Sequence, residues 1–295
     1  MSLVQLPEIE FTSPRGIDDA CAELARLHRE GKRVWAIAGC TDWMVEHHMA
    51  SVGQESLNAA AVDISAVPEL KGITVEGDVV SIGAAEPFLS MRRHPVLQER
   101  CPMLVDMASE VGAIQIQARG TLGGNLVTGS PAADGVTAMF ALDADVVLRS
   151  QSDGERTVPI TSYYTGYRAS VRRADELVVR LSFRLPREGA SQFWRKVGTR
   201  KAQSISKAAV AAVVEVEGGV FTRVGLAAAS VAEVILPLDA VRSMVRGKAP
   251  KDIDLAAVEE AVDREIRPID DVRSTERYRR HVTKTLVRRF FEELR

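Results

Sequence analysis

Apolar residues Ile17, Ala20, Cys21, Leu24, Ala25 and Leu27 recur at three- and four-residue steps between Ser13-Pro14 and Gly31. That spacing predicts an amphipathic helix, capped by serine, started on proline and stopped by glycine. Residues 1–12 before it read as an opening strand or arm. The apolar run 32–38 predicts a buried strand. After Gly39-Cys40-Thr41-Asp42, a short apolar helix is expected from Trp43 to about Met49. From Val62 the pattern becomes one of short strands, over 61–64, 72–76 and 79–84, with Gly77-Asp78 as a hairpin turn. Helical spacing returns over 88–93 and 95–111, placing Leu104, Met107, Ala108 and Val111 on one face. A short buried helix is expected over 136–142 and strands over 145–149, 156–160 and 176–185, the middle pair turning at Asp153-Gly154. Pro186 and Arg187-Glu188-Gly189 punctuate the chain, and a domain boundary is expected there, dividing 1–186 from 187–295. The first part is read as two lobes, about 1–60 and 61–186. Beyond the boundary, 206–217 and 220–229 flank Gly218-Gly219 as antiparallel strands, and helices follow over 237–245, 255–265 and 275–294.

Composition narrows the function without naming it. The 295 residues are 46% hydrophobic and 26% charged, an ordinary globular composition with room for about two domains. A formal net charge of −2 supplies no basic field for nucleic acid. No apolar run reaches membrane-spanning length, and the N-terminus lacks a basic-then-apolar signal pattern, so a cytoplasmic chain is expected. Cys21, Cys40 and Cys101 form no Cys-x-x-Cys pair, which supports neither a disulfide framework nor an iron–sulfur site in this chain. His47 and His48 are adjacent on a helix, point in different directions and make a poor metal pair. Serine-triad, His-Glu-x-x-His and zinc spacings are all missing.

What remains is glycine. Arg119-Gly120-Thr121-Leu122-Gly123-Gly124-Asn125-Leu126 continues through Thr128-Gly129-Ser130-Pro131 to Asp134. Successive backbone N–H groups in such a turn form a concavity suited to anionic oxygens. For a Gly-Gly pair alone, a hairpin turn is the simpler reading. A second turn, Gly39-Cys40-Thr41-Asp42, lies between an expected strand and helix, where unpaired first-turn N–H groups and the helix dipole favour an anion. Two such turns, neither a Walker motif nor a Rossmann fingerprint, suit a dinucleotide whose pyrophosphate is clamped from both sides.

These residues also carry a resemblance. Ala38-Gly39-Cys40-Thr41-Asp42, Val62-Asp63-Ile64-Ser65, Ile82-Gly83-Ala84-Ala85 and Thr121-Leu122-Gly123-Gly124-Asn125 through Ser130-Pro131 and Asp134 occur in family order. The sequence resembles, over nearly its whole length, the FAD-binding medium subunits of the molybdenum hydroxylases (the xanthine dehydrogenase and carbon monoxide dehydrogenase family). Two departures stand out: Cys40 replaces the second glycine of the family's Ala-Gly-Gly, and Glu86-Pro87-Phe88 replaces a threonine-rich continuation. The resemblance implies an α+β fold: a two-lobed FAD-binding domain of the vanillyl-alcohol-oxidase-like (PCMH) type, then a smaller C-terminal domain of antiparallel sheet and helices. It implies that Ala36, Ile37, Ala38, Gly39, Cys40, Thr41, Asp42 and Trp43, with Thr121, Leu122, Gly123, Gly124 and Asn125, hold the pyrophosphate and ribityl chain. By the same resemblance Val111 lies beside the flavin, Asp134 hydrogen-bonds it, Arg180 belongs to a strand along the ring, and Lys196 places a positive charge near the isoalloxazine. Tyr163-Tyr164-Thr165-Gly166-Tyr167-Arg168 matches an aromatic–Gly–Arg segment of the family, read either as packing or, at Tyr164 and Arg168, as site rim or subunit boundary.

The function so implied is electron relay, with FAD carrying the redox chemistry and the protein supplying binding and electrostatics. Electrons would come from 2Fe-2S clusters in a small subunit and a molybdopterin centre in a large subunit, and leave to an acceptor such as NAD or a quinone. No metal ligand is expected in this chain. A self-contained flavin oxidoreductase with its own substrate pocket, and a scaffold subunit that has lost FAD, are the alternatives. The arginine-rich last helix reads as a mixed-charge exposed face or as a docking surface for an acidic partner.

Overall fold

The computed structural model describes residues 9–50, 58–200 and 203–295. Strands β1 (Glu10–Thr12), β2 (Arg33–Ile37) and β3 (Ala59–Asp63) form a parallel sheet with β3 in the middle. Helix α1 (Ile17–Arg29) buries Ile17, Ala20, Cys21, Leu24 and Leu27 against Ala60 and Val62 of β3. The sequence pattern placed 32–38 in the interior, but β2 is an edge strand. Only its Ile37 is buried, and Arg33 and Ala36 are exposed. Helix α2 (Trp43–Ala50) follows the first glycine turn; the side chains of residues 48–57 lie outside those described, so the pair of His47 and His48 is not described as a whole.

The second lobe is built on a five-stranded antiparallel sheet. Its strands are β4 (Ile73–Glu76), β5 (Val79–Gly83), β6 (Asp145–Ser150), β7 (Gly154–Pro159) and, after the small β8 (Tyr164–Gly166) and β9 (Ala169–Ser170) hairpin, β10 (Leu177–Arg184). The order is β4-β5-β10-β6-β7, so β10 is central and its inward residues are buried. Between β5 and β6 lie α3 (Phe88–Arg93), α4 (Pro95–Arg100), α5 (Pro102–Glu110), α6 (Ile114–Gln117), α7 (Leu122–Thr128) and α8 (Asp134–Ala141). The one helix expected over 95–111 is two. Cys101 sits at φ −136°, ψ 55°, because the residue before Pro102 is pushed out of the helical region.

The C-terminal part has an antiparallel sheet of β11 (Ser191–Val197), β12 (Ala208–Glu217) and β13 (Val220–Ala229), with helices α9 (Asp239–Val245), α10 (Leu255–Glu265) and α11 (Glu276–Glu293). Asp254 and Thr275 cap the last two helices through side-chain bonds from first-turn N–H groups. Strand β12 is apolar on both faces: Ala209, Ala211 and Val213 join the core of the second lobe, while Val210, Ala212 and Val214 join a second core with α10 and α11. Helix α8 packs on β12 and β13 and against α5 and α7, and all eight of its residues are buried. Gly225 of β13 comes so close to it that a Cβ there would lie 1.8 Å from the Ala141 carbonyl oxygen.

Candidate functional site

The first turn leaves the carboxyl end of β2. A Cβ on Gly39 would fall 1.9 Å from the Arg119 carbonyl oxygen and 3.0 Å from the Gly120 nitrogen, and one on Gly120 would fall 3.3 Å from the Thr41 hydroxyl. The two glycine turns are therefore in backbone contact, which only glycine at 39 permits. Cys40 holds φ 60°, the left-handed region, and its Sγ contacts the Ala38 carbonyl at 3.6 Å. The carbonyls of Cys40 and Asp42 accept from Met44 and Glu46 and so start α2. The N–H groups of Gly39, Cys40, Thr41, Asp42 and Trp43 donate to no acceptor among the described residues. The Trp43 indole N–H is buried and is likewise without a partner there. Its ring stacks on His47 at 4.2 Å and meets Trp35 edge-on at 6.0 Å.

The second turn is a helix start rather than an open concavity. Thr121 caps α7 by accepting from the Gly124 N–H at 3.0 Å. Leu122 donates to Glu86 O, Gly123 to Ala84 O and Asn125 to Thr121 O, so these N–H groups are engaged. The two glycines differ in use. A Cβ on Gly123 would lie 2.6 Å from Ala84, whereas one on exposed Gly124 would meet only the Thr121 hydroxyl, at 3.0 Å. Residues 86–88 support this turn: Gly72 N–H donates to the Glu86 carboxylate at 2.5 Å and Phe88 N–H to Gly120 O at 3.1 Å. The Thr128 hydroxyl reaches Asp42 at 3.0 Å and links the turns again.

Asp134 begins α8 beside this pair. Its carboxylate receives the Lys196 ammonium of β11 and, at 2.6 Å, the Ser206 hydroxyl. Lys196 also donates to Glu110 O at 3.1 Å, and the Trp194 indole donates to the Glu110 carboxylate at 2.9 Å. Both charged side chains are less than a tenth exposed. Burial pushes the Asp134 carboxyl up, against the pull of the Lys196 charge and of the bonds from Lys196 and Ser206. The Asn125 side-chain oxygen accepts from Val136 N–H at 3.3 Å, joining the second turn to the start of α8.

The expected residues thus fall into two connected groups, Gly39–Trp43 with 121–125, and Asp134 with Lys196. Ala38 packs at the edge of the first-lobe core, Ile37 is buried but lies outside that cluster, and Ala36 is exposed on the edge strand. Val111 ends α5, half-buried against the main core directly after Glu110. Arg180 lies opposite Gly83 on β5, but its guanidinium forks onto Glu155 at 3.1 and 2.8 Å rather than onto either turn. Sequence reasoning missed Glu110, Trp194, Ser206 and Thr128. Trp194 and Lys196 share one face of a strand by their two-residue spacing, a legible signal; Ser206 and Glu110 had none, because their partners are distant in sequence.

Residues 7–188 match the family model described as the FAD binding domain in molybdopterin dehydrogenase, and residues 194–294 match the CO dehydrogenase flavoprotein C-terminal domain. The carbon monoxide dehydrogenase medium chain of Hydrogenophaga pseudoflava is 27% identical over 283 residues, 96% of each chain. The nicotinate dehydrogenase FAD-subunit of Eubacterium barkeri is 32% identical over 204 residues, 68% of this chain and 67% of that one. Among solved structures, a chain of the Hydrogenophaga pseudoflava carbon monoxide dehydrogenase superposes with a TM-score of 0.89 at 26% identity, covering 97% of this chain and 96% of that one.

Proposed function

Because this chain belongs to the family of FAD-binding medium subunits of the molybdenum hydroxylases, an oxidoreductase family, we propose that it is the electron-relay subunit of such an enzyme. FAD is its cofactor, and the residues present fit it. The run of N–H groups from Gly39 to Trp43, which have no acceptor among the described residues and are pressed against the second turn, is an anion cradle of the kind a pyrophosphate needs, and it is the observation that carries the reading. When bound, FAD supplies reversible two-electron chemistry that can also proceed in single-electron steps.

The chain's own residues bind and orient. Gly39, Cys40, Thr41, Asp42 and Trp43 hold the pyrophosphate by backbone donors, with Ala36, Ile37 and Ala38 delivering the turn from β2. Thr121, Leu122, Gly123, Gly124 and Asn125 close the other side, where Gly124 presents an open surface and Asn125 its amide nitrogen. Asp134 and Lys196 would give the cofactor a polar wall whose ammonium favours negative charge on it, and Val111 and Arg180 would be further holding residues. Residues 1–186 and 187–295 act as a FAD-binding domain and a C-terminal domain. Electrons arrive from a 2Fe-2S small subunit and a molybdopterin large subunit, as the medium-chain relatives suggest, and leave to an acceptor such as NAD or a quinone. Co-expression with candidate partner subunits tests this. The complex is expected to reduce its flavin on adding the hydroxylation substrate, and the chain alone to bind FAD without hydroxylating. Substrate hydroxylation by the lone chain would overturn the relay.

A further inference from the structure

The β8–β9 hairpin touches both helices that carry the glycine turns. The Tyr164 hydroxyl donates to the Leu126 carbonyl on the last turn of α7 at 2.7 Å, and its ring stacks on Phe140 of α8 at 6.4 Å. Gly129, the left-handed residue that ends α7, comes so near that a Cβ on it would lie 3.0 Å from the Arg168 Cα. From that position the Arg168 guanidinium reaches Glu46 on α2 at 2.8 Å. Arg168 does so at φ 53°, a left-handed conformation that L-residues avoid and glycine adopts freely. A side chain kept where glycine would be easier is a reason to look for its use.

The geometry points to this hairpin as a bracket that sets the gap between the two turns, with the Arg168–Glu46 pair as its releasable end. The Tyr164 end is anchored in the main core. The other end is open: Arg168 and Glu46 are 46% and 48% exposed, so the pair is weak and screened by salt. Helix α2 starts at the first turn and α7 at the second, so releasing Glu46 lets the first turn move away from its partner. The bond from Thr128 to Asp42 spans the same gap, so losing the pair loosens the site without abolishing it. The inference rests on the reading that FAD lies between these turns. Arg168 and Glu46 are then positioning residues that act on how fast the cofactor leaves.

The test is the rate of FAD release from the reconstituted chain, followed by flavin fluorescence at about 0.01 M and about 1 M salt. Glu46→Gln and Arg168→Gly are each expected to release FAD about threefold faster at low salt, and the wild type to approach them at high salt. Arg168→Gly removes the backbone strain, so its thermal midpoint is expected at or above wild type while FAD leaves sooner. A merely structural role would move both in the same direction. The reversed pair Glu46→Arg with Arg168→Glu is expected to restore slow release. Equal low-salt rates in wild type and both single variants, or a reversed pair that stays fast, would overturn the bracket and leave FAD binding intact. A wild-type chain that takes up no FAD would remove the underlying reading and the bracket together.

Discussion

Cys40 occupies a backbone conformation in which a side chain is a burden. Replacing it by glycine removes strain of about 1 kcal/mol. Cys40→Gly is therefore expected to raise the thermal midpoint and keep FAD, because the backbone N–H donates and the thiol only brushes the Ala38 carbonyl. Loss of flavin in that variant would give the thiol a role of its own. Gly123 and Gly124 look alike in sequence and are not alike in space. A Cβ on Gly123 collides with Ala84, so Gly123→Ala should cost about 1–3 kcal/mol in denaturant unfolding. Gly124→Val meets little but the Thr121 hydroxyl and intrudes on the open face, so it should fold and lose most of its FAD. Sequence reading marked both glycines and Cys40, but their difference depends on Ala84, some forty residues away in the chain, and was not legible.

At the scale of elements, helical and strand periods located the longer segments, since burial on one face leaves a periodic trace, but not α6, α7, the β8–β9 hairpin or β11. The pattern failed where one apolar run served a different geometry. Val34 and Trp35 make 32–38 look interior, yet β2 is an edge strand whose aromatic side chain packs along α2 instead. The link between β11 and α8 had no periodic signature, because it is a buried ion pair. Lys196→Met would leave the Asp134 carboxylate without its cation and is expected to cost about 3–5 kcal/mol in chemical unfolding. Adding Asp134→Leu should recover part of that loss, and strictly additive losses would show that the pair does not couple. Across the five-stranded sheet, the bond from Arg180 on β10 is the largest cause holding the Glu155 carboxyl of β7 below its usual range. A lowered carboxylate pKa stabilises the fold above its unfolded value and loses that contribution as pH falls through the folded value. Both groups are more than a third exposed or close to it, so the effect is under about 1 kcal/mol. Unfolding midpoints between about pH 6 and pH 3 should fall less steeply in Arg180→Gln than in wild type; parallel curves would contradict the assignment.

The whole molecule is tied together by β12, which belongs to two cores, and by α8, a fully buried helix packed on β12 and β13 and against α5 and α7. Family order and motif spacing made the overall architecture readable, while the way the two glycine turns meet was a matter of three-dimensional contact. That contact is central to the proposed site, and FAD affinity tests it most directly. Deflavinated wild-type chain should bind FAD stoichiometrically. Trp43→Phe, which removes the unpartnered buried indole N–H, should bind roughly tenfold more weakly. Gly39→Ala, which forces the turns apart, should bind more weakly still, with circular dichroism confirming that each variant is folded. Wild-type affinity in a folded Gly39→Ala chain would mean that FAD does not lie between the turns.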